Sequence, residues 1–123
     1  MIVGIGTDIV EIARLAKSLE NIKEHCFTEL EIAYAEKFRD PVPHFAGRWA
    51  AKEAFAKALG TGFGESCAWL ELEIANDCKG KPEIGISGTA LQTFTALGGK
   101  TVHLSISHEK NYATAFVIIE GEK

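Results

Sequence analysis

Basic charge is scarce in this chain of 123 residues. Lysine and arginine total 13 against 17 aspartates and glutamates, for a formal net charge of −4. That balance argues against broad binding to nucleic acid or to anionic membranes, both of which need cationic cover, and leaves room for local basic patches. Long apolar runs are also missing, and no uncharged stretch approaches the ~20 residues of a membrane span. The opening Met1-Ile-Val-Gly-Ile-Gly-Thr-Asp8 has neither the basic start nor the apolar core of a secretion signal. Ile2 stands where myristoylation requires glycine. Cysteine is limited to Cys26, Cys67 and Cys78, with no CxxC pair. An odd, scattered set speaks against a zinc site or a disulfide framework and for reduced thiols in a cytoplasmic protein. There is no GxSxG elbow, no HExxH helix, no Walker A loop and no Rossmann fingerprint. Repeats, linkers and low-complexity segments are absent too.

What is present is ordinary globular material, 46% hydrophobic and 24% charged. A mass of 13.3 kDa suits one domain over residues 1–123, burying about two-thirds of the unfolded surface. Residues 2–10 are β-branched and glycine-punctuated, which predicts a strand. Ile12, Leu15 and Leu19 predict a short helix over 11–21. Thr28-Glu-Leu-Glu31 is a capping box that opens a helix over about 29–38, and Asp40-Pro-Val-Pro43 ends it. An alanine-rich helix over about 44–59 stops at Gly60-Thr-Gly62. Residues 68–75 alternate, with Ala68, Leu70, Leu72 and Ile74 on one face, and predict a half-buried strand. A short partner strand over 83–86 follows, then a helix over 88–97 capped by Ser87. Residues 101–108 and 112–119 read as an antiparallel hairpin. Helices and strands do not alternate as βαβ units, so the fold class is α+β, a small antiparallel sheet packed with helices.

Four places carry candidate chemistry. Asp8 stands near the end of the first strand beside Gly4 and Gly6, where a ligand could approach the backbone; a helix N-cap is the plain alternative. Trp49, Glu53 and Lys57 share one helix face at i, i+4, i+8, with Arg48 and Lys52 beside them. A carboxylate amid three cations suits a metal held against phosphates, with Glu53 as ligand and Lys57 and Arg48 neutralising phosphate oxygens. An exposed Glu–Lys pair is the alternative there. The glycines of Gly60-Thr-Gly-Phe-Gly64 could admit a nucleotide or simply end a helix. His108, after Ser105-Ile-Ser107, could bind phosphate or pass a proton, or be a surface histidine at a turn. His25, His44 and His103 show no ligand spacing.

In combination these segments resemble the small class of 4′-phosphopantetheinyl transferases over nearly the whole chain. Gly4-Ile-Gly-Thr-Asp8-Ile-Val-Glu-Ile-Ala-Arg14 resembles the family's opening motif. Phe45-Ala-Gly-Arg48-Trp-Ala-Ala-Lys52-Glu53-Ala-Phe-Ala-Lys57-Ala-Leu-Gly60-Thr-Gly62 resembles its central motif. Gly80-Lys81-Pro82 and Leu104-Ser-Ile-Ser-His108 with Tyr112-Ala resemble its last two.

The resemblance implies transfer of the phosphopantetheine arm of coenzyme A to a serine of an apo acyl carrier protein, in fatty acid biosynthesis. Adenosine 3′,5′-bisphosphate leaves. It implies Mg2+ on Asp8 and Glu53, and Lys57 on the phosphate. Arg48, Lys57, Gly60, Lys81, Pro82 and His108 would hold coenzyme A, and Arg14 would dock the carrier. It also implies a homotrimer with active sites shared between subunits. Glu53 is the first candidate for general base, His108 or Glu109 the second. Two features depart from expectation. Val10 stands where larger relatives place a further carboxylate. The first helix mixes Arg14, Lys17 and Lys23 with Glu11, Glu20 and Glu24, although an acidic carrier calls for a basic face. The competing functions are a magnesium-dependent phosphoester hydrolase using the same three residues, and a non-catalytic coenzyme A-binding scaffold.

Overall fold

The β-branched opening of the chain forms its first strand. The computed structural model describes residues 1–122. Strand β1 (Ile2–Glu11) leads into helices α1 (Ile12–Cys26), α2 (Glu29–Glu36) and α3 (Val42–Leu59). A 3-10 turn (Trp69–Glu71) precedes the hairpin of β2 (Leu72–Asn76) and β3 (Pro82–Ile86). Helix α4 (Gly88–Ala96) and a second hairpin of β4 (Gly99–His108) and β5 (Tyr112–Gly121) complete the order. The long strands form an antiparallel sheet in the order β1-β5-β4, and β2 and β3 form a second. The class is α+β, as predicted. Among the described residues no helix is long and apolar enough to cross a membrane.

Helix α3 is the centre of the molecule. Ala46, Ala50, Ala51, Ala54 and Ala56 are wholly buried along it. Alanine favours the helix and adds little bulk, so other elements can close on α3 from several sides. One apolar cluster joins α3 to β2, α4 and the large sheet through Phe55, Leu72, Phe94, Val117 and Ile119. The other lies under α1 and α2, around Leu15, Leu19, Phe27 and Phe45. Strand β1 comes closest. A methyl group at Gly4 would strike the carbonyl of Ala58, and one at Gly6 the carbonyl of Ala54. These glycines therefore admit the backbone of α3, where a ligand was expected.

Several boundaries differ from the sequence reading. Helix α1 continues to Cys26 because Ile22 and Cys26 extend its apolar stripe. Helix α3 starts at Val42, with Pro43 in the first turn, where a missing N–H matters little. Residues 68–75 are not one strand. Residues 69–71 form a 3-10 turn, and Leu70 is exposed instead of sharing a buried face with Leu72. The cause is Glu71. Its carboxylate accepts from the N–H of Ala68 at 2.9 Å, Thr89 at 2.6 Å and Ala90 at 3.1 Å, and from the Thr89 hydroxyl at 2.7 Å. Glu71 thereby caps α4. Ser87 occupies the N-cap position, but its side chain makes no cap bond.

The large sheet covers α3 with one face and leaves the other open. Across that outer face, Ile5, Ile118 and His103 stand in register, then Thr7, Phe116 and Ser105, then Ile9, Thr114 and Ser107. Ile5, Ile9 and Phe116 are exposed there.

Candidate active site

The strand period carries Asp8 to the same side of β1 as Gly4 and Gly6, toward α3. Past the first turn of α3, only Trp49, Glu53 and Lys57 escape full burial. The i, i+4, i+8 spacing thus marks the one open stripe of that helix. Lys57 Nζ lies 3.0 Å from Asp8 Oδ1 and donates to the Thr7 carbonyl at 3.0 Å. The Asp8 side chain is only 14% exposed. Burial pushes the Glu53 carboxyl above the usual carboxylate range; the charge of Asp8 pushes it the same way, and Lys57 opposes both. Asp8 is therefore not a helix cap. The N-cap of α1 is Glu11, whose side chain makes no cap bond. Nor do Glu53 and Lys57 form a simple surface pair, since the hydrogen bonds of Lys57 go to β1.

Two neighbouring, partly buried carboxylates suit a hard cation. The donor set is all oxygen. No cluster of three His, Cys, Asp or Glu side chains occurs among the described residues, and Val10 packs against the core. Such a set leaves coordination places for phosphate oxygens and water, which is how Mg2+ is commonly held.

The expected ring of three cations does not form. Lys52 lies on a buried side of α3 and is 0% exposed. Its ammonium donates to Glu31 Oε1 at 2.7 Å and to the carbonyls of Cys26 at 2.7 Å and Trp69 at 3.1 Å. Arg48 is also buried. Its Nη2 donates to Asn76 Oδ1 at 2.6 Å, and its Cζ sits 4.0 Å from the Tyr34 ring centroid. Five residues separate Arg48 from Glu53, about 140° of helix rotation, so the two face different sides.

The other predicted residues lie elsewhere in the same chain. His108 closes β4, with its ring 5.9 Å from that of His44. It thus stands at the first turn of α3, about two and a half turns from Glu53. Lys81 and Pro82 border a cavity of about 360 Å³ with Phe94 and Lys100. Arg48 borders another, of about 420 Å³, with Tyr34 and Lys37. Gly60 caps α3 in the left-handed conformation at φ 84°, three residues beyond Lys57. Arg14 is exposed on α1 and shares a groove with Val10, Ser18 and Trp49. Lys23 does not add to a basic face, because Glu20 and Glu36 hold its ammonium at 3.3 and 3.1 Å.

Sequence reasoning missed Glu31, Tyr34, His44 and Asn76. Glu31 was legible only as a capping-box residue. The partners of the other three arrive from distant segments, and no local signal marks them.

The family model of the 4′-phosphopantetheinyl transferase superfamily matches residues 4–117. The holo-[acyl-carrier-protein] synthase of Treponema denticola is 49% identical, covering 98% of this chain and all of that one. The synthase of Shewanella loihica is 44% identical, over 98% of this chain and 99% of its own. Among solved structures, the Bacillus anthracis holo-(acyl-carrier-protein) synthase in complex with CoA (3′,5′-ADP) superposes with a TM-score of 0.86 at 41% identity, covering 99% of both chains. The residues that β1 and α3 bring together thus lie within a match that spans nearly the full sequence, and the chain belongs to the 4′-phosphopantetheinyl transferase superfamily.

Proposed function

We propose that the chain, as one domain in the cytoplasm, transfers 4′-phosphopantetheine from coenzyme A to a serine of apo acyl carrier protein for fatty acid biosynthesis. The observation that carries this reading is the meeting of Asp8, Glu53 and Lys57 where β1 presses on α3. Asp8 and Glu53 would hold Mg2+. When bound, the ion neutralises charge on the pyrophosphate and on the departing bisphosphate. Lys57 faces the transferred phosphoryl group and offsets its charge. Glu53 takes the serine proton through a water. The serine oxygen bonds to the phosphorus bearing the pantetheine arm. The bond from that phosphorus to the bridging oxygen breaks, and adenosine 3′,5′-bisphosphate leaves.

Arg14 and the groove beside Trp49 receive the carrier, one helical turn from Glu53. The coenzyme A residues Arg48, Lys81, Pro82 and His108 stand apart from Asp8 and Glu53 within one chain. We therefore place them across a subunit boundary, in a homotrimer. Asp8, Glu53, Lys57 and Gly60 of one protomer then face the Arg48 and His108 region of its neighbour. Exposed Ile5, Ile9 and Phe116 on the open face of the large sheet supply apolar surface for that association.

The test is the intact mass of an apo acyl carrier protein incubated with this chain and coenzyme A, with and without Mg2+. A magnesium-dependent gain of one phosphopantetheine, lost in Asp8→Asn and Glu53→Gln, is the expected result. Coenzyme A consumed with no gain on the carrier would identify a hydrolase instead.

A further inference from the structure

Arg48 is 5% exposed, yet its Nε–H meets no acceptor. A buried donor without a partner is rare in folded proteins and marks a place prepared for something else. A cavity of about 420 Å³ lies beside it, bordered also by Tyr34, Lys37, Asn76 and Asp77. The guanidinium rests over the Tyr34 ring, and Nη2 is taken by Asn76 Oδ1. The amide of Asn76 then donates from Nδ2 to the Gly80 carbonyl at 2.9 Å. A carboxamide can serve both ends because it carries an acceptor and donors in one plane. Asp77 tightens the same turn, its Oδ1 accepting from the N–H of Lys79 at 2.8 Å and of Lys81 at 2.9 Å. Among the described residues no hydrogen bond joins Arg48 to the Gly80-Lys81-Pro82 turn directly. Asn76 is the link.

We propose that Asn76 is a positioning residue for coenzyme A. It fixes Arg48 on Tyr34 beside the cavity, and it ties Arg48 to the Gly80-Lys81-Pro82 turn as one preset unit. The ligand chemistry is a phosphate ester, whose oxygens would take the free guanidinium donors with help from the Lys37 ammonium. This inference rests on the coenzyme A reading above.

The test compares the intact wild-type protein with Asn76→Ala and Asn76→Asp. Calorimetry measures binding of adenosine 3′,5′-bisphosphate. Steady-state kinetics give KM for coenzyme A, KM for the carrier, and kcat. In both variants bisphosphate binding weakens about tenfold and KM for coenzyme A rises to match, while kcat stays within about twofold and KM for the carrier is unchanged. Asn76→Asp is isosteric, keeps an acceptor for Arg48, loses the donor to Gly80, and sets a negative charge against the incoming phosphate. It is expected to keep the wild-type melting temperature, and it decides the matter if Asn76→Ala fails to fold. Unchanged binding and KM in Asn76→Asp overturn the proposal. So does a lowered melting temperature with a loss confined to kcat, which is what a merely structural residue would give. A wild-type protein that binds no bisphosphate and modifies no carrier overturns the coenzyme A reading itself, and this inference with it.

Discussion

Lys52 and Glu31 put opposite charges where neither side chain meets solvent, 2.7 Å apart. Burial pulls the Lys52 ammonium below its usual range, and the Glu31 carboxylate opposes that shift. The pair ties α3 to the end of α1, the start of α2, the 3-10 turn and β2, because the Ile74 N–H also donates to Glu31 Oε2 at 2.7 Å. Removing one partner strands the other charge in the interior. Lys52→Met is therefore expected to lower stability by about 3–5 kcal/mol in urea unfolding. A loss under about 1 kcal/mol would show that water reaches Glu31. His44 makes a second prediction. Burial lowers its pKa below the ordinary 6.5, with the charges of His108 and Arg48 adding to the shift and Asp40 opposing it. Its folded-state pKa lies below the unfolded value, so the unfolded chain takes up the proton first as pH falls through 6.5. The melting temperature should decline from pH 7 toward pH 5, and His44→Gln should flatten that part of the profile.

Among the elements, the contact of β1 with α3 decides the site. Asp8 is two residues beyond Gly6 on the strand face that meets α3, and Glu53 precedes Ala54, whose carbonyl a methyl at Gly6 would strike. Gly6→Ala must move β1 away from α3. The expected loss is about 1–3 kcal/mol of stability, together with a fall in phosphopantetheine transfer larger than that of a distant variant of equal stability. Transfer kinetics beside thermal melts would check it. The same scale explains where local pattern misled. The alternation over 68–75 is genuine, but the Glu71 carboxylate finds four donors at Ala68 and the start of α4, and a turn delivers it there. Strand propensity is weak enough for such a network to override it.

For the whole molecule, the outer face of the large sheet is the unfinished feature. The chain exposes 7177 Å², against about 6,400 Å² for a compact monomer of its mass. Ile5, Ile9 and Phe116 are exposed on that face. Phe116→Glu is expected to give a monomer by light scattering and to abolish transfer, while the chain stays folded by circular dichroism. The proposed sharing of sites carries a further consequence. Asp8→Ala and Arg48→Ala should each be inactive alone. Unfolded together and reassembled in equal amounts, they should regain about a quarter of wild-type activity, because in a cyclic trimer one site in four draws both intact halves. No recovery would place each site within a single chain.

By itself the sequence determined whatever depends on neighbours along the chain. The capping box at Thr28 and Glu31, the left-handed cap at Gly60, the hairpin of β4 and β5, and the open stripe of Trp49, Glu53 and Lys57 are period and turn effects, and all appear in the structure. The family was legible too, because its motifs keep their order along the chain. Only the tertiary structure decided which charges share a site. Arg48, Lys52 and Lys57 are three cations on one helix. Rotation of α3 and the arrival of Tyr34, Asn76, Glu31 and Asp8 from distant segments give them three different roles. Burial and electrostatic partnership are long-range in sequence, and no local window contains them.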